Sequence, residues 1–186
     1  MSQPGEHLSS DQSPASRSLG SVVGHLAHAI EHEISPGDVA ELRRLRRAEP
    51  GGAAFYKLMA GVVAPGGHLP EGGAARDEAE RRWSTVMQAL AQLRGLHRPG
   101  SRAGAALATA ELAELRLTRL LRARDEALDD AIRTTAHYLA ARGEPVDAAA
   151  LAALVLVPDG PVAEALRRAI ARDYYGRVAR NERNEG

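Results

Sequence analysis

Apolar residues recur along most of the chain at spacings of three and four, which is the repeat of one face of an α-helix. The clearest run spans residues 74–94, where Trp83, Val86, Leu90 and Leu93 share a face. Similar runs predict further helices over about 21–34, 36–48, 53–60, 105–123, 125–142, 147–157 and 162–178. Since almost no stretch alternates with the period of two of a strand, the pattern predicts an all-α fold of about eight helices.

Residues with special backbone or capping properties lie between these runs. Ser35 is predicted to cap a helix that has Pro36 at its first position and Asp38 in its first turn. Helix ends are predicted at Gly61, Gly95 and Gly143, and helix starts at Asp125 and Asp147.

Two long polar loops, 64–73 and 96–104, interrupt the helices. They predict two small adjacent helical bundles, an N-terminal one over 21–103 and a C-terminal one over 104–180. Residues 1–20 lack the apolar content needed to offset the entropy cost of ordering, so we expect a flexible, disordered N-terminal tail. Residues 181–186 are predicted to form a polar tail.

The composition narrows the possible functions. The chain has no Cys, which removes disulfides, thiol nucleophiles and Cys-ligated metals. It shows no targeting signal, and its longest apolar run, 148–157, is far shorter than the roughly 20 residues of a membrane span. We therefore expect a soluble, cytoplasmic protein with no membrane contact.

The charges are segregated although the formal net charge is zero. Residues 41–57 carry five basic and two acidic side chains, and 94–124 carry seven Arg and two Glu. The next stretch, 125–147, reverses the sign with two Arg and six acidic residues. Such blocks create local fields that the total does not report.

The sequence gives no positive support for catalysis. His28 and His32 lie in an H-x-x-E-H pattern that could place two imidazoles on one metal, but a small Ala-rich bundle lacks the third ligand and cleft that such hydrolases need. An exposed His-rich helix is the simpler interpretation. Asp129 and Asp130 are adjacent, point to different helix faces, and are interpreted as solvated charges. We predict no catalytic residues, no metal and no cofactor.

Arrays of arginine are a stronger candidate for a functional site than the histidine pair. Three side chains at 43, 46 and 47 are predicted to form one stripe, and a second set steps by three through 116, 119 and 122. Arg167 and Arg168 lie in the last helix, and Arg98 and Arg102 lie in a Gly- and Pro-containing loop. Guanidinium groups suit phosphate backbones because each contact releases a counterion and needs no base identity. Since aromatic residues make up only 3% of the chain, base stacking is not the expected mode of binding.

Four segments follow one another in an order that resembles a known family. The first is Gly37-Asp38-Val39-Ala40-Glu41-Leu42-Arg43-Arg44, followed by Pro50 and Ala54-Phe55-Tyr56-Lys57-Leu58. The others are Gly104, Ala106 and Leu107 with Glu114-Leu115-Arg116 and Leu120-Leu121-Arg122-Ala123; Arg133 with Pro145-Val146-Asp147 and Leu151; and Ala171-Arg172-Asp173-Tyr174-Tyr175. Together they are similar to the signatures of the CasB family, the small subunit of type I-E CRISPR Cascade complexes.

This resemblance implies a non-catalytic, all-helical subunit of an RNA-guided surveillance complex in antiviral defence. The implied partners are the backbone and large subunits of Cascade, a second copy of the chain, guide RNA, and the displaced non-target strand of the target DNA in the R-loop. The matching positions imply strand contacts by Arg44, Lys57 and Arg133, and basic residues of the last helical region at Arg167 and Arg168. Arg98 and Arg102 are added from composition and approximate position.

Two other classes of function remain open at this point. The chain could be a helical protein-interaction module, with Arg faces that meet acidic partners or only solvent. It could also be a metal hydrolase built on His28 and His32. Loss of affinity with rising salt would distinguish nucleic-acid binding from the first, and metal analysis would test the second.

Overall fold

The structure is a computed structural model that describes residues 17–47 and 49–185. Within these ranges the chain forms helices and no sheet, which confirms the all-α prediction. Nine α-helices are described: α1 (Leu19–His32), α2 (Pro36–Arg43), α3 (Ala53–Leu58), α4 (Gly73–Gln92), α5 (Ala103–Thr109), α6 (Glu114–Arg122), α7 (Asp125–Arg142), α8 (Ala148–Leu156) and α9 (Pro161–Glu185).

Several predicted helix ends are confirmed. The Ser35 hydroxyl accepts a hydrogen bond from the Asp38 backbone N–H, and the Asp38 carboxylate accepts one from the Ser35 N–H, which makes a reciprocal capping box. Asp147 caps α8 by accepting from the Ala149 N–H at 3.0 Å. Gly143 ends α7 in the left-handed conformation, with φ of 62°.

Two early helices differ from the prediction. α2 ends at Arg43 rather than near residue 48, because the Gln88 side chain donates to the Arg43 carbonyl and the chain then turns tightly. Gly61 does not end the third helix. The chain instead continues beyond α3 as a π-helical turn, Met59–Val63, that keeps Met59 and Val63 buried in the core.

The single helix predicted over 105–123 is wrong. It is broken between α5 and α6 by Glu111, which adopts the left-handed conformation with φ of 58°. The Tyr138 hydroxyl oxygen lies 2.8 Å from the Ala110 carbonyl oxygen, so a residue from α7 stabilises the break. Asp125 is likewise not an N-cap: Arg124 holds that position, and Asp125 is the first residue of α7.

The buried side chains form one apolar cluster that includes Phe55, Trp83, Leu107 and Leu139. α4 packs against α7 and α8, and α5 lies along α9. The division into bundles near residue 103 stays a prediction, since residues on both sides of it belong to this cluster.

Both predicted tails extend beyond the described residues. Residues 1–16 of the predicted N-terminal tail lie outside the described residues, and α1 already begins at Leu19. The predicted C-terminal polar tail is helical where it is described, because α9 extends to Glu185. None of the described helices is both long enough and apolar enough to cross a membrane.

Candidate nucleic-acid interface

Two of the predicted contacts lie where α2 and α3 meet. Arg44 directly follows α2, and Lys57 lies on α3, which packs against α2. Both side chains are exposed, and neither forms an ion pair with any described residue. They are therefore free to meet an external anion.

The position of this junction is fixed by one carboxylate. Glu41 on α2 accepts a hydrogen bond from the Ala54 backbone N–H at 3.0 Å, which occupies a free donor at the start of α3. Gly52 makes this contact possible: its φ is +95°, and a Cβ there would lie 2.1 Å from the Glu41 Oε1. The acid closest to Arg44 in sequence is thus already engaged with backbone.

The predicted stripe of Arg43, Arg46 and Arg47 is wrong, because α2 ends before the last two. The Arg43 Nε donates to the Ala91 carbonyl at 2.9 Å, which ties α2 to α4. Arg47 turns inward to Glu78 and Asp129. Among the described residues, Arg46 has no ion pair and lies exposed.

Arg47 forms the centre of an ion cluster between α4 and α7. Its guanidinium pairs with Glu78 and, at 2.9 Å, with Asp129. Burial alone would lower the pKa of Arg47, but the hydrogen bond and the charge of Asp129 raise it above its usual value. Burial alone would raise the pKa of Glu78, but hydrogen bonds from Arg82 and Arg81 and the charge of Arg47 lower it.

The same cluster corrects the interpretation of Asp129 as a solvated charge. Its side chain is only 12% exposed and also accepts a hydrogen bond from the Thr85 hydroxyl at 3.0 Å. Asp130, by contrast, is 73% exposed. Adjacent carboxylates therefore have different surroundings, as their different helix faces require.

Arg133 lies on α7 in an environment rich in carboxylates. Its guanidinium pairs with Asp130 at 2.5 Å. Both residues line a groove of about 710 Å³ whose walls also hold Glu78, Asp125 and Glu126. A phosphate that approached Arg133 would also meet these acids, so this position is less favourable for a strand than Arg44 and Lys57.

The two loop cations differ from one another. Arg98 is exposed, and no described residue forms an ion pair with it; its backbone N–H donates to the Val146 carbonyl at 2.9 Å and holds the loop in place. Arg102 is 74% exposed and pairs with Asp173 of α9 at 3.1 Å. In a pair this exposed, another anion can readily replace the Asp173 carboxylate at Arg102.

The last two predicted contacts, Arg167 and Arg168, differ clearly in exposure. The Arg167 side chain is 5% exposed and pairs with Asp159 and Glu164, each at 2.9 Å. Arg124 pairs with the same two carboxylates, so Arg167 fixes the start of α9 and is not available at the surface. Its neighbour Arg168 is exposed and has no ion pair among the described residues.

The signature segments that are distant in sequence meet in the fold. A Cβ at Gly104 on α5 would lie 2.0 Å from the Ile170 carbonyl oxygen on α9, so only glycine permits this close approach. Tyr174 is buried, and its hydroxyl donates to the Leu112 carbonyl. Burial first, and then the charge of Glu114, raises the pKa of Tyr174. These motif residues hold helices together rather than line a surface.

Two exposed tyrosines, Tyr56 (51% exposed) and Tyr175 (46%), had no role predicted from the sequence. Both belong to the signature segments themselves, and that membership was the available signal. The second predicted stripe is confirmed as exposed: Arg116, Arg119 and Arg122 all lie at the surface of α6.

The rings of His28 and His32 lie next to each other on the exposed side of α1, with centroids 4.7 Å apart and planes tilted by 54°. Their nearest acidic partners are Glu33, at 3.6 Å from His28, and Glu31, at 3.7 Å from His32. Among the described residues, no group of three or more His, Asp or Glu side chains could hold a metal ion.

Comparisons with known proteins relate this chain to one family and one solved structure. The profile of the family described as CRISPR-associated protein Cse2 matches residues 38–175. The crystal structure of CasB from Thermus thermophilus is similar to the chain, with a TM-score of 0.64 and 22% sequence identity over 86% of this chain and 99% of that one. This likeness shows a shared fold. No curated protein sequence matches the chain.

Proposed function

The chain belongs to the Cse2 family of structural subunits of the CRISPR Cascade complex, and we propose that within such a complex it binds nucleic-acid backbone and stabilises the displaced non-target DNA strand of the R-loop. The observation that carries this proposal is the pair of exposed cations, Arg44 and Lys57, at the junction of α2 and α3. Neither forms an ion pair among the described residues, and at their junction Glu41 bonds the start of α3 through a contact that Gly52 permits.

The energetics of R-loop formation favour such a role. Exchange of a DNA duplex for an RNA–DNA heteroduplex is nearly balanced, so a few backbone contacts to the freed strand can tip it. Arg98 and Arg168, both exposed and without ion pairs in the described chain, are the next proposed contacts. Arg102 is a further proposed contact once it is released from Asp173. Arg133 is the least favourable of the proposed contacts, because acidic side chains surround it. Arg167 is not part of the proposal, because it is buried.

The remaining partners follow from the family. We propose that the chain associates with the backbone and large subunits of Cascade, with a second copy of itself, and with guide RNA. The net charge of zero predicts weak binding to DNA by the isolated chain. Affinity is expected once neighbouring subunits add further contacts to the same strand, because linked weak contacts act together.

The test uses the tagged chain, co-expressed with the other subunits encoded beside it and a guide array. We expect a ribonucleoprotein that carries repeat-derived guides. The double variant Arg44→Glu, Lys57→Glu is expected to assemble normally and to shorten the lifetime of the R-loop. Arg183→Glu is the matched control, since Arg183 is also exposed but lies beyond the residues that match the family.

Lys57 allows a second readout because it is the only lysine in the chain. An amine-reactive reagent therefore modifies one side chain here. Target DNA is expected to slow the modification of Lys57 in the assembled complex. A chain that purifies without RNA or partners would contradict the complex, whereas an intact complex with unchanged R-loop lifetime and unchanged Lys57 reactivity would contradict the strand contact alone.

A further inference from the structure

An apolar groove of about 790 Å³ lies between α6 and α7, apart from the α2–α3 junction. Buried Leu112 and Leu120 and half-buried Ala131 line it, together with Tyr138. Leu115 at its edge is 62% exposed, although it is a large aliphatic side chain. Burial of such a side chain against apolar groups is favourable, so this surface is suited to being covered.

The cationic side chains of the groove all belong to α6. Arg116, Arg119 and Arg122 of α6 all line it, and none of them forms an ion pair with any described residue. Arg116 lies over the ring of Tyr138, with 5.5 Å from its guanidinium carbon to the ring centroid. Among the lining residues, Asp130 is the one carboxylate, and it is already paired with Arg133.

We propose that this groove docks an acidic amphipathic helix of a partner protein. Such a helix would place aliphatic or aromatic side chains against Leu115, Leu120 and Ala131, and its flanking Asp and Glu against the three arginines. This is the helix-in-groove mode of recognition, in which apolar anchors give affinity and flanking charges give orientation and specificity.

The chemistry of the lining favours a peptide over a nucleic-acid strand. A phosphodiester backbone would satisfy the arginines but would leave the apolar lining and Leu115 uncovered. An acidic helix satisfies both. The docking surface is independent of the proposed DNA contact, because the two surfaces share no residue.

The test uses the full chain and two labelled model peptides of about 18 residues, long enough to form a helix. Both carry Leu at i, i+3, i+4 and i+7; one has Glu at the flanking positions and the other has Lys. We expect the Leu/Glu peptide to bind in a fluorescence anisotropy titration and the Leu/Lys peptide to bind at least about tenfold more weakly, since it meets the arginines with like charge.

Two matched substitutions locate the binding. Leu115→Glu is expected to weaken the Leu/Glu peptide by about tenfold or more, because it removes an apolar contact and places a negative charge beside the glutamates of the peptide. Val162→Glu is the control, because Val162 is 64% exposed on α9 and does not line the groove. Arg119→Glu is expected to weaken the same peptide, and Arg183→Glu to leave it unchanged, because Arg183 is exposed and does not line the groove.

Several results would overturn the inference. These are equal binding of the two peptides, an equal effect of Leu115→Glu and Val162→Glu, or displacement of the peptide by a single-stranded oligothymidylate. Self-association of the chain that is abolished by Leu115→Glu would also overturn it, since a second copy would then be the occupant. Circular dichroism of each variant confirms the fold before binding is measured.

Discussion

Arginines of this chain fall into two populations that sequence pattern does not distinguish. Between α4 and α7, and at the start of α9, Arg47 and Arg167 are enclosed by carboxylates. At the α2–α3 junction and along α6, Arg44 and Arg119 are exposed and unpaired within the described residues. The net charge of zero is therefore the sum of satisfied internal pairs, surfaces with an excess of positive charge, and acidic surfaces elsewhere that balance them.

This difference separates arginines that stabilise the fold from arginines that are available for binding. A paired, enclosed arginine contributes to stability, and its removal leaves a carboxylate without its partner. An exposed, unpaired arginine contributes little to stability and can bind an outside anion. Substitutions in the first population should therefore alter unfolding, and those in the second should alter binding.

The largest effect on stability is expected at Arg47. Arg47→Ala should lower the free energy of unfolding by about 2–3 kcal/mol, because Asp129 is left nearly buried with only the Thr85 hydroxyl as partner. Urea unfolding followed by the fluorescence of Trp83, the only tryptophan, measures it. Arg46→Ala, one position earlier, should change stability by less than about 0.5 kcal/mol; equal losses in both variants would remove the distinction between the populations.

A smaller loss is expected at Arg167. Arg167→Met should cost about 1–2 kcal/mol, because Asp159 and Glu164 keep Arg124 as a partner and are themselves partly hydrated. The neighbouring Arg168→Met serves as the comparison and should stay within about 0.5 kcal/mol of the unmodified chain. If Arg168→Met proved the more damaging, the assignment of Arg167 as the structural member would be wrong.

At the α2–α3 junction the effect should appear in binding and not in unfolding. The double variant Arg44→Glu, Lys57→Glu should unfold like the unmodified chain. In the assembled complex, the logarithm of R-loop stability should depend less steeply on the logarithm of salt concentration, by about 0.7 for each phosphate of the single strand that is no longer neutralised. An unchanged slope would mean that neither side chain meets phosphate.

The smallest effect concerns His97, a half-buried base. Its Nδ1 accepts a hydrogen bond from the Ala148 backbone N–H at 3.2 Å, at the start of α8. Burial lowers the pKa of His97 below its usual 6.5, although the charge of Asp147 opposes the shift. Because the unfolded chain takes up the proton more readily, stability should be full above about pH 6.5 and fall as the pH drops below it.

His97→Asn should reduce this pH dependence, because the Asn carbonyl oxygen can accept the same hydrogen bond and does not titrate. The measurement is the free energy of unfolding at several pH values between about 5 and 8. A wild-type profile that stays flat across this window would show that His97 does not contribute.

Helices whose signals are local could be predicted from the sequence. Periodicity located α4 and α7, and the capping residues Ser35, Asp147 and Gly143 act on backbone close to themselves along the chain. Prediction failed where a distant side chain decides. Tyr138 bonds to the backbone at the break near Glu111, and Gln88 bonds to the last carbonyl of α2.

The same limit applies to the candidate site. The resemblance carried by ordered segments identified the family that residues 38–175 match. It could not separate Arg167 from Arg168, since both are adjacent cations in one helix. Which of them turns inward depends on Asp159, eight residues away, and on the path of the chain that brings Arg124 beside it.

By itself, then, the sequence determined the helical class, most helix boundaries and the family, because these follow from the periodicity, capping and order of nearby residues. Only the tertiary structure decided which cations are free. Arg47 meets Asp129 across 82 positions of sequence, and Glu41 closes on Ala54 only through the turn at Gly52. Ion pairs act over a few ångströms of space, so the availability of a charge is a property of the folded chain.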